Sequence, residues 1–200
     1  MVFDGRVAKG YKVALRMPDG NLVQRDFFHY EGAAVVLPVL QDGSIVLIRN
    51  RRFAVDEVLL ELPAGMLETE EDPLLCAARE LTEETGYTAD SVEPLGVFYT
   101  GPGTSDEAMH AFLATGLSDG EQALEDYEEI SVAPYADAEV RRMVIDGTIH
   151  DGKTIATLKY PSNTFTTPTY AMRTAGMNPD EDVTFLQLPF GAQLPAVVDP

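Results

Sequence analysis

The strongest periodic pattern in the sequence lies between Asp72 and Gly86, where apolar residues recur at helical spacing. The apolar stripe is narrow and consists of Leu74, Ala77, Ala78 and Leu81. Asp72 suits the N-cap, Pro73 fits the first helical position, and Gly86 is a typical C-terminal stop. The pattern therefore predicts one amphipathic helix with well-marked ends.

Short apolar runs on both sides of this helix predict a β-sheet. Residues 10–28 form two runs broken by Pro18-Asp19-Gly20, a turn signature that indicates a hairpin. An Asp-Gly turn joins two further runs, and later runs also resemble strands. These four runs are 32–40, 45–50, 92–99 and 108–114. Two more helices are predicted at 137–145 and 151–159, so the fold class is α/β.

A second face of the predicted helix carries Glu80, Glu83 and Glu84, whose carboxylates repel one another at spacings of three and four residues. A solvated acidic face is the ordinary interpretation of such a run. The alternative is a divalent cation such as Mg²⁺, which takes oxygen ligands from a few carboxylates and from substrate phosphates. Arg79 lies among these acids and could hold a carboxylate in a fixed direction.

Composition excludes several classes of partner. The 200 residues carry a net charge of −19, which argues against nucleic acid and anionic membranes as partners. The chain has no apolar run that could span a bilayer and no signal-peptide core, so a cytoplasmic location is expected. Its single cysteine, Cys76, excludes an internal disulfide.

The helix and the residues before it resemble the Nudix box, the signature of hydrolases that act on nucleoside diphosphates linked to another moiety. The matching positions are Gly65, Glu71, Arg79-Glu80-Leu81, Glu83-Glu84 and Gly86. The one departure is Tyr87, where the family usually has an aliphatic residue. The resemblance implies a Nudix α/β/α sandwich with a mixed β-sheet, here with an N-terminal β-hairpin and a C-terminal arm.

The resemblance also implies the metal site. Glu80, Glu83, Glu84 and the backbone carbonyl of Ala64 would hold Mg²⁺, with Mn²⁺ as a substitute, and Arg79 would orient the acids. An acidic enzyme for a pyrophosphate must neutralise its substrate locally with metal ions and a few arginines.

Features outside the box resemble the ADP-ribose pyrophosphatase branch of the family. In that branch, a segment similar to residues 61–65 of this chain precedes the helix. A glutamine-aromatic-arginine segment lies before it in the sequence. The corresponding residues of this chain are 50–52, of which only Arg52 is identical. Pro102 lies where this branch carries a proline. The substrate-binding residues implied are Arg52, Arg51, Pro102 and Gly103.

A general base is implied in the acidic loop at residues 121–129. The family's pattern of an acid, any residue, Glu, Glu and Ile points to Glu128, with Glu125 and Asp126 as alternatives. A glutamate among other acids can gain enough proton affinity to accept a proton near neutral pH.

The expected function is Mg²⁺-dependent hydrolysis of a nucleoside diphosphate sugar, with ADP-ribose giving AMP and ribose 5-phosphate. GDP-mannose, another nucleotide sugar and a dinucleoside polyphosphate remain alternative substrates, and a sensor that binds without cleaving is an alternative of another class.

The resemblance implies a homodimer joined by N-terminal strands at residues 1–30, followed by a Nudix domain at 31–160. Residues 161–200 are expected to form an irregular arm on their own or a partner subunit.

Overall fold

The computed structural model describes residues 1–125 and 128–162 of the chain. Met1–Leu158 form one compact unit, and a second unit begins at Lys159, of which only the end of a helix is described. The expected arm therefore lies outside the described residues from position 163 onward, as does Asp126. No helix in the described part of the chain is long and apolar enough to cross a membrane.

Three helices and ten strands make up the described residues. The helices are α1 (Pro73–Thr85), α2 (Asp137–Ile145) and α3 (Gly152–Ser162). The strands are β1 (Phe3–Asp4), β2 (Lys9–Arg16), β3 (Leu22–His29), β4 (Ala33–Pro38), β5 (Ile45–Arg52), β6 (Glu57–Glu61), β7 (Ala64–Met66), β8 (Thr88–Tyr99), β9 (Ala108–Ser118) and β10 (Ile130–Tyr135).

The strands form three sheets, one of which is mixed. The mixed sheet has the order β7-β4-β9-β8, with β4 and β9 parallel and the other pairs antiparallel. A second sheet has the order β10-β5-β6, and the N-terminal sheet has the order β1-β2-β3. The predicted α/β class, mixed sheet and N-terminal hairpin are therefore confirmed.

Helix α1 covers the mixed sheet and buries only part of the stripe that the periodicity predicted, because Ala77 and Leu81 are buried whereas Leu74 is 40% exposed and Ala78 is partly buried. Cys76, Ala77 and Leu81 pack with apolar residues of β4 and β9 in one buried cluster, completed by Ala34, Val36, Phe112 and Ala114. Helices bury such a stripe because removing apolar area from water is the main driving force of folding. Glu84 is buried with these residues, so the glutamates lie beside the apolar stripe of α1.

Both ends of α1 are capped as predicted. The Asp72 side chain accepts a hydrogen bond from Leu74 N at 2.8 Å, and Pro73 occupies the first turn. Gly86 adopts a left-handed conformation with φ 77°, and its N–H donates to the Thr82 carbonyl. The acidic residues of α1 therefore occupy fixed positions between two well-defined ends.

The two runs joined by the Asp-Gly turn belong to different sheets, which their adjacency in sequence does not reveal. An isolated bridge between Val39 and Ile45 is the link between them, while β4 pairs with β7 and β9. Strand β5 instead lies between β10 and β6. This separation places the end of β5, with Arg52, in the sheet that also carries β6.

We expect Gly86→Ala to lower the free energy of unfolding more than Gly147→Ala. Both glycines have left-handed backbones, where an L side chain costs about 1–2 kcal/mol. A Cβ at Gly86 would also lie 2.9 Å from the Gly120 carbonyl oxygen, whereas a Cβ at Gly147 meets nothing within 4 Å. Urea denaturation of both variants measures the difference. Equal losses would show that the close approach of residue 120 to the helix end does not exist.

Candidate active site

The acidic face of α1 lies against the short strand β7. The carboxylate of Glu80 occupies the space beside Gly65 that a Cβ at that position would fill. Glu84 is 3% exposed, and its Oε2 accepts a hydrogen bond from Ala64 N at 2.8 Å. Since any larger residue at 65 would displace Glu80, the glycine is what lets the helix glutamates reach the backbone of residues 64 and 65.

One guanidinium, that of Arg79, holds three of the acids. It donates to Glu71 Oε1 at 3.0 Å, to Glu80 Oε1 at 2.7 Å and to Glu83 Oε2 at 2.9 Å. These hydrogen bonds, first of all the one with Glu71, raise the pKa of Arg79 and lower the pKa of Glu71. Arg79 therefore has the orienting position that the sequence indicated.

The buried acids of α1 are electrostatically unfavourable as anions. Burial, together with the charges of Glu80 and Glu128, raises the pKa of Glu84 to about 8. Burial also raises the pKa of Glu80, although its hydrogen bond with Arg79 acts in the opposite direction. A carboxylate that is removed from water and surrounded by other acids favours a nearby positive charge.

We tested whether these residues fit a divalent cation. Over residues 1–125 and 128–162, no three His, Cys, Asp or Glu side chains converge as a closed metal cage, because Arg79 draws Glu83 aside and Glu84 accepts from Ala64 N. One buried and one partly buried carboxylate, Glu84 and Glu80, beside a backbone that lacks a Cβ nevertheless suit Mg²⁺. This ion keeps several waters and is held by one or two carboxylates and substrate phosphates rather than by a full protein cage.

A buried ion network lies at the ends of β5 and β6. Glu61 is fully buried and accepts from Arg52 Nε at 2.9 Å and Arg52 Nη2 at 2.6 Å, and it also accepts from Lys153 Nζ. Lys153 in turn donates to Asp151 at 3.0 Å. The bond with Glu61 raises the pKa of Arg52, and the charge of Arg52 acts to lower the pKa of Glu84. Arg52 is therefore within electrostatic reach of the acidic helix.

Glu128 faces the same acidic cluster. Its charge raises the pKa of both Glu80 and Glu84, and its Oε2 accepts from Glu125 N at 2.9 Å. Glu125 is exposed and lies 4.0 Å from Arg6. Of the two alternatives that the structure describes, Glu128 is the one that influences the acids of α1.

The loop that leads to Glu128 is fastened to the end of α1. Gln122 Nε2 donates to the Glu84 carbonyl at 2.6 Å, and Ala123 N donates to the Glu83 carbonyl at 3.0 Å. These bonds satisfy carbonyls that a helix end leaves without an internal partner. The loop and the acidic helix are therefore joined through their backbones.

Residues 29–157 match the NUDIX domain family, which covers the acidic helix, the Arg52 network and Glu128. The chain belongs to the Nudix family. It is 34% identical over 161 residues to an ADP-ribose pyrophosphatase of Bacillus subtilis (strain 168), an alignment that covers 80% of this chain and 87% of the relative. It is also 35% identical over 159 residues to a GDP-mannose pyrophosphatase of Cronobacter sakazakii, with 73% and 82% covered.

A solved structure titled as an ADP compounds hydrolase shares the fold. Its TM-score is 0.70 at 19% sequence identity, and the match covers 88% of this chain and 91% of that chain. The predicted Nudix fold is therefore confirmed, and the family assignment identifies the chain as a Nudix hydrolase.

Two arginines that the sequence analysis grouped together point to opposite sides of β5 in this Nudix domain. Neighbouring residues of a strand alternate between its faces. Arg52 faces the buried side with Glu61, whereas Arg51 is exposed and donates to Asp56 Oδ1 at 2.5 Å. The structure therefore brings Arg52, and not Arg51, to the acidic helix.

The Nudix loop that carries Pro102 and Gly103 is tied to the N-terminal hairpin. Asp106, near the end of this loop, contacts His29 Nδ1 at 2.6 Å and accepts from Tyr30 N at 3.0 Å. Within the described residues, no hydrogen bond or ion pair joins Pro102 or Gly103 to α1. The hairpin thus determines where this loop is held.

Sequence reasoning missed two members of the ion network, Lys153 and Asp151. Both lie at the start of α3, where the Asp151 side chain accepts from Thr154 N at 2.9 Å as a helix cap. The sequence shows Asp151 and Lys153 as a charged pair in a segment that also carries buried threonines. It does not show that Glu61, which is distant in sequence, is the partner of Lys153. Only the packing of α3 near β6 shows why a lysine stands there.

We expect Glu61→Gln to lower the free energy of unfolding by about 3 kcal/mol, because it leaves two cations beside a neutral group in a buried site. Glu57→Gln is the matched control on the same strand. Glu57 is exposed and contacts the exposed His150, so its loss should cost under about 1 kcal/mol. Chemical denaturation compares the two. A loss of equal size in both variants would contradict the buried network.

Proposed function

We propose that this chain hydrolyses the pyrophosphate bond of a nucleoside diphosphate sugar in the presence of Mg²⁺, with ADP-ribose giving AMP and ribose 5-phosphate. The observation that carries the proposal is the placement of the buried Glu84 and the partly buried Glu80 against residues 64–65, with Glu84 within electrostatic reach of Arg52. Similarity to an ADP-ribose pyrophosphatase and to a GDP-mannose pyrophosphatase supports a nucleotide-sugar substrate.

In this proposal Glu80, Glu83, Glu84 and the Ala64 carbonyl would hold the cation. When bound, such an ion neutralises the phosphates and lowers the pKa of a coordinated water. Arg79 keeps the remaining acids in place through its bonds to Glu71 and Glu80. Fixed carboxylates require little rearrangement when the substrate arrives, which favours catalysis by a preorganised site.

Glu128 accepts the proton of the attacking water in this proposal. It lies close enough to Glu80 and Glu84 to perturb their pKa values, and its loop is fastened to the end of the helix that carries them. A general base must lie within hydrogen-bonding reach of the proton that it removes, directly or through one water. The anchored loop supports that proximity.

Arg52 binds a phosphate oxygen in this proposal. Glu61 uses two of its five N–H donors, and the side chain is 38% exposed, so the others are available to a ligand. In a protein with a net charge of −19, a fixed arginine is needed to offset the charge of a diphosphate. Charge compensation of the diphosphate therefore accounts for an arginine at the edge of an acidic site.

GDP-mannose is the second candidate substrate, since the chain is as similar to a GDP-mannose pyrophosphatase as to an ADP-ribose pyrophosphatase. Both reactions cleave the same pyrophosphate linkage, so the metal site and Arg52 serve either one. Groups that contact the base and the sugar decide between them. A non-catalytic sensor fits less well because every acid of the Nudix box is present.

We further propose a homodimer joined through the N-terminal sheet. Strands β2 and β3 form a hairpin of eight-residue strands, on which Gly10 is the one fully buried residue. The same sheet leaves Phe3, Leu15 and Leu22 about half exposed. Exposed apolar side chains on a sheet are typical of an interaction surface.

A hydrolysis panel of ADP-ribose, GDP-mannose, UDP-glucose and diadenosine polyphosphates tests the proposed function. We expect ADP-ribose to be cleaved fastest with Mg²⁺, with AMP and ribose 5-phosphate as products, and chelator to abolish the reaction. Product analysis by chromatography measures both outcomes. Faster cleavage of GDP-mannose would replace the substrate and keep the mechanism, whereas binding without cleavage would assign the chain to the sensors.

The proposed base is tested by Glu128→Gln, which should lower kcat by about 10²- to 10⁴-fold, the usual contribution of a general base. Glu129→Gln is the control, because the neighbouring glutamate is exposed. Glu84→Gln should abolish turnover while the far-UV circular dichroism stays native. Steady-state kinetics at saturating Mg²⁺ compares the three variants. Equal rates for Glu128→Gln and Glu129→Gln would remove Glu128 from the mechanism.

A further inference from the structure

Asn50 is a buried polar residue without a side-chain partner among the residues that the structure describes. It is 6% exposed, yet its carboxamide makes no hydrogen bond with any described group. The other buried polar side chains nearby are all engaged: Glu61 with Arg52 and Lys153, and Thr154 with Asp151 and Leu62 N.

An unpartnered buried carboxamide requires an explanation. Asn presents two N–H donors and a carbonyl acceptor, and folding removes all of them from bulk water. Native proteins pair nearly all such groups, and exceptions are concentrated where a ligand or a bound water completes the set. An apolar residue of the same shape would avoid this cost, so Asn50 has a role that Leu could not fill.

The position of Asn50 indicates which ligand. It lies in the central strand β5, on the same face as Ile48 and Arg52, while Arg49 and Arg51 face outward. Its cross-strand neighbours are Leu59 and Ile130, whose side chains offer no hydrogen-bonding group.

The polar group next to it along this face is Arg52, two residues further along the strand. Two residues of a strand span about 7 Å, so the two side chains can both reach oxygens of one diphosphate group. The guanidinium is turned toward Glu61 on β6, which sits diagonally across from Asn50. The carboxamide and the arginine therefore present donors to the same side of the sheet.

We infer that the Asn50 carboxamide binds the substrate, donating an N–H to a phosphate oxygen beside the one held by Arg52. The inference rests on the proposed function and extends it by a second, neutral phosphate contact. A neutral donor suits this place because the Arg52 guanidinium already supplies positive charge to the face. The alternative occupant is an ordered water with no part in substrate binding.

Asn50→Leu separates these two cases, because it keeps the shape and removes the polar group. If the carboxamide serves the substrate, the melting temperature without ligand stays the same or rises, and KM rises about tenfold or more while kcat changes less. If a structural water satisfies it, the melting temperature falls and KM is unchanged, which would overturn the inference. Asn50→Ala repeats the KM measurement without added bulk.

Asn50→Asp tests the charge of the ligand. A carboxylate beside a phosphate is repulsive, so we expect a larger rise in KM than for Asn50→Leu. A KM equal to that of the wild type would exclude a phosphate contact. Calorimetric titration of ADP-ribose in the presence of chelator measures affinity without turnover and should show the same order of variants.

Thr157→Val is the matched control, since Thr157 is also fully buried but has a partner, the Lys153 carbonyl at 2.8 Å. This variant should lower the melting temperature slightly and leave KM unchanged. The controls also separate the two proposals. If the wild-type protein cleaves no substrate of the panel, the proposed function fails and the inference with it; if it is active and Asn50→Leu retains the wild-type KM, the inference alone fails.

Discussion

The rest of the site depends on the electrostatic interaction between the Arg79 guanidinium and the acids around it. Without it, Glu80 and Glu83 of α1 and Glu71 from the preceding loop would lie close together with nothing to offset their repulsion. With it, the helix can bury Glu84 against β7 and still pack its apolar stripe on the mixed sheet. One short helix therefore contributes to both the core and the site.

Much of this arrangement could be predicted from sequence because it is local. The caps of α1, its apolar stripe and the spacing of its acids all lie within fifteen positions, where helical geometry alone decides which side chains share a face. Helix α2 likewise has the predicted bounds, and β8 begins at Thr88, earlier than the expected Val92. Short-range signals were sufficient wherever both partners lay on one element.

Contacts between distant segments could not be predicted in this way. Glu61 and Lys153 form an ion pair only because α3 lies near β6, and the sequence of neither segment indicates that the two are in contact. The opposite orientation of Arg51 and Arg52 could have been predicted, since neighbouring residues alternate between the faces of a strand and β5 extends to residue 52. The importance of Asn50 was hidden for another reason: the lack of a partner is a property of the folded chain, not of a sequence pattern.

The pairing of Arg52 with Glu61 has a consequence for how substrate affinity arises. An arginine on an open surface loses about 2 kcal/mol of rotamer freedom when it grips a ligand. Here the two hydrogen bonds to a fully buried carboxylate restrict the side chain as the protein folds. The conformational entropy of the Arg52 side chain is therefore lost when the protein folds and not when a ligand binds. If Arg52 binds the diphosphate as proposed, affinity is linked to α3, because Lys153 of that helix shares Glu61 with Arg52.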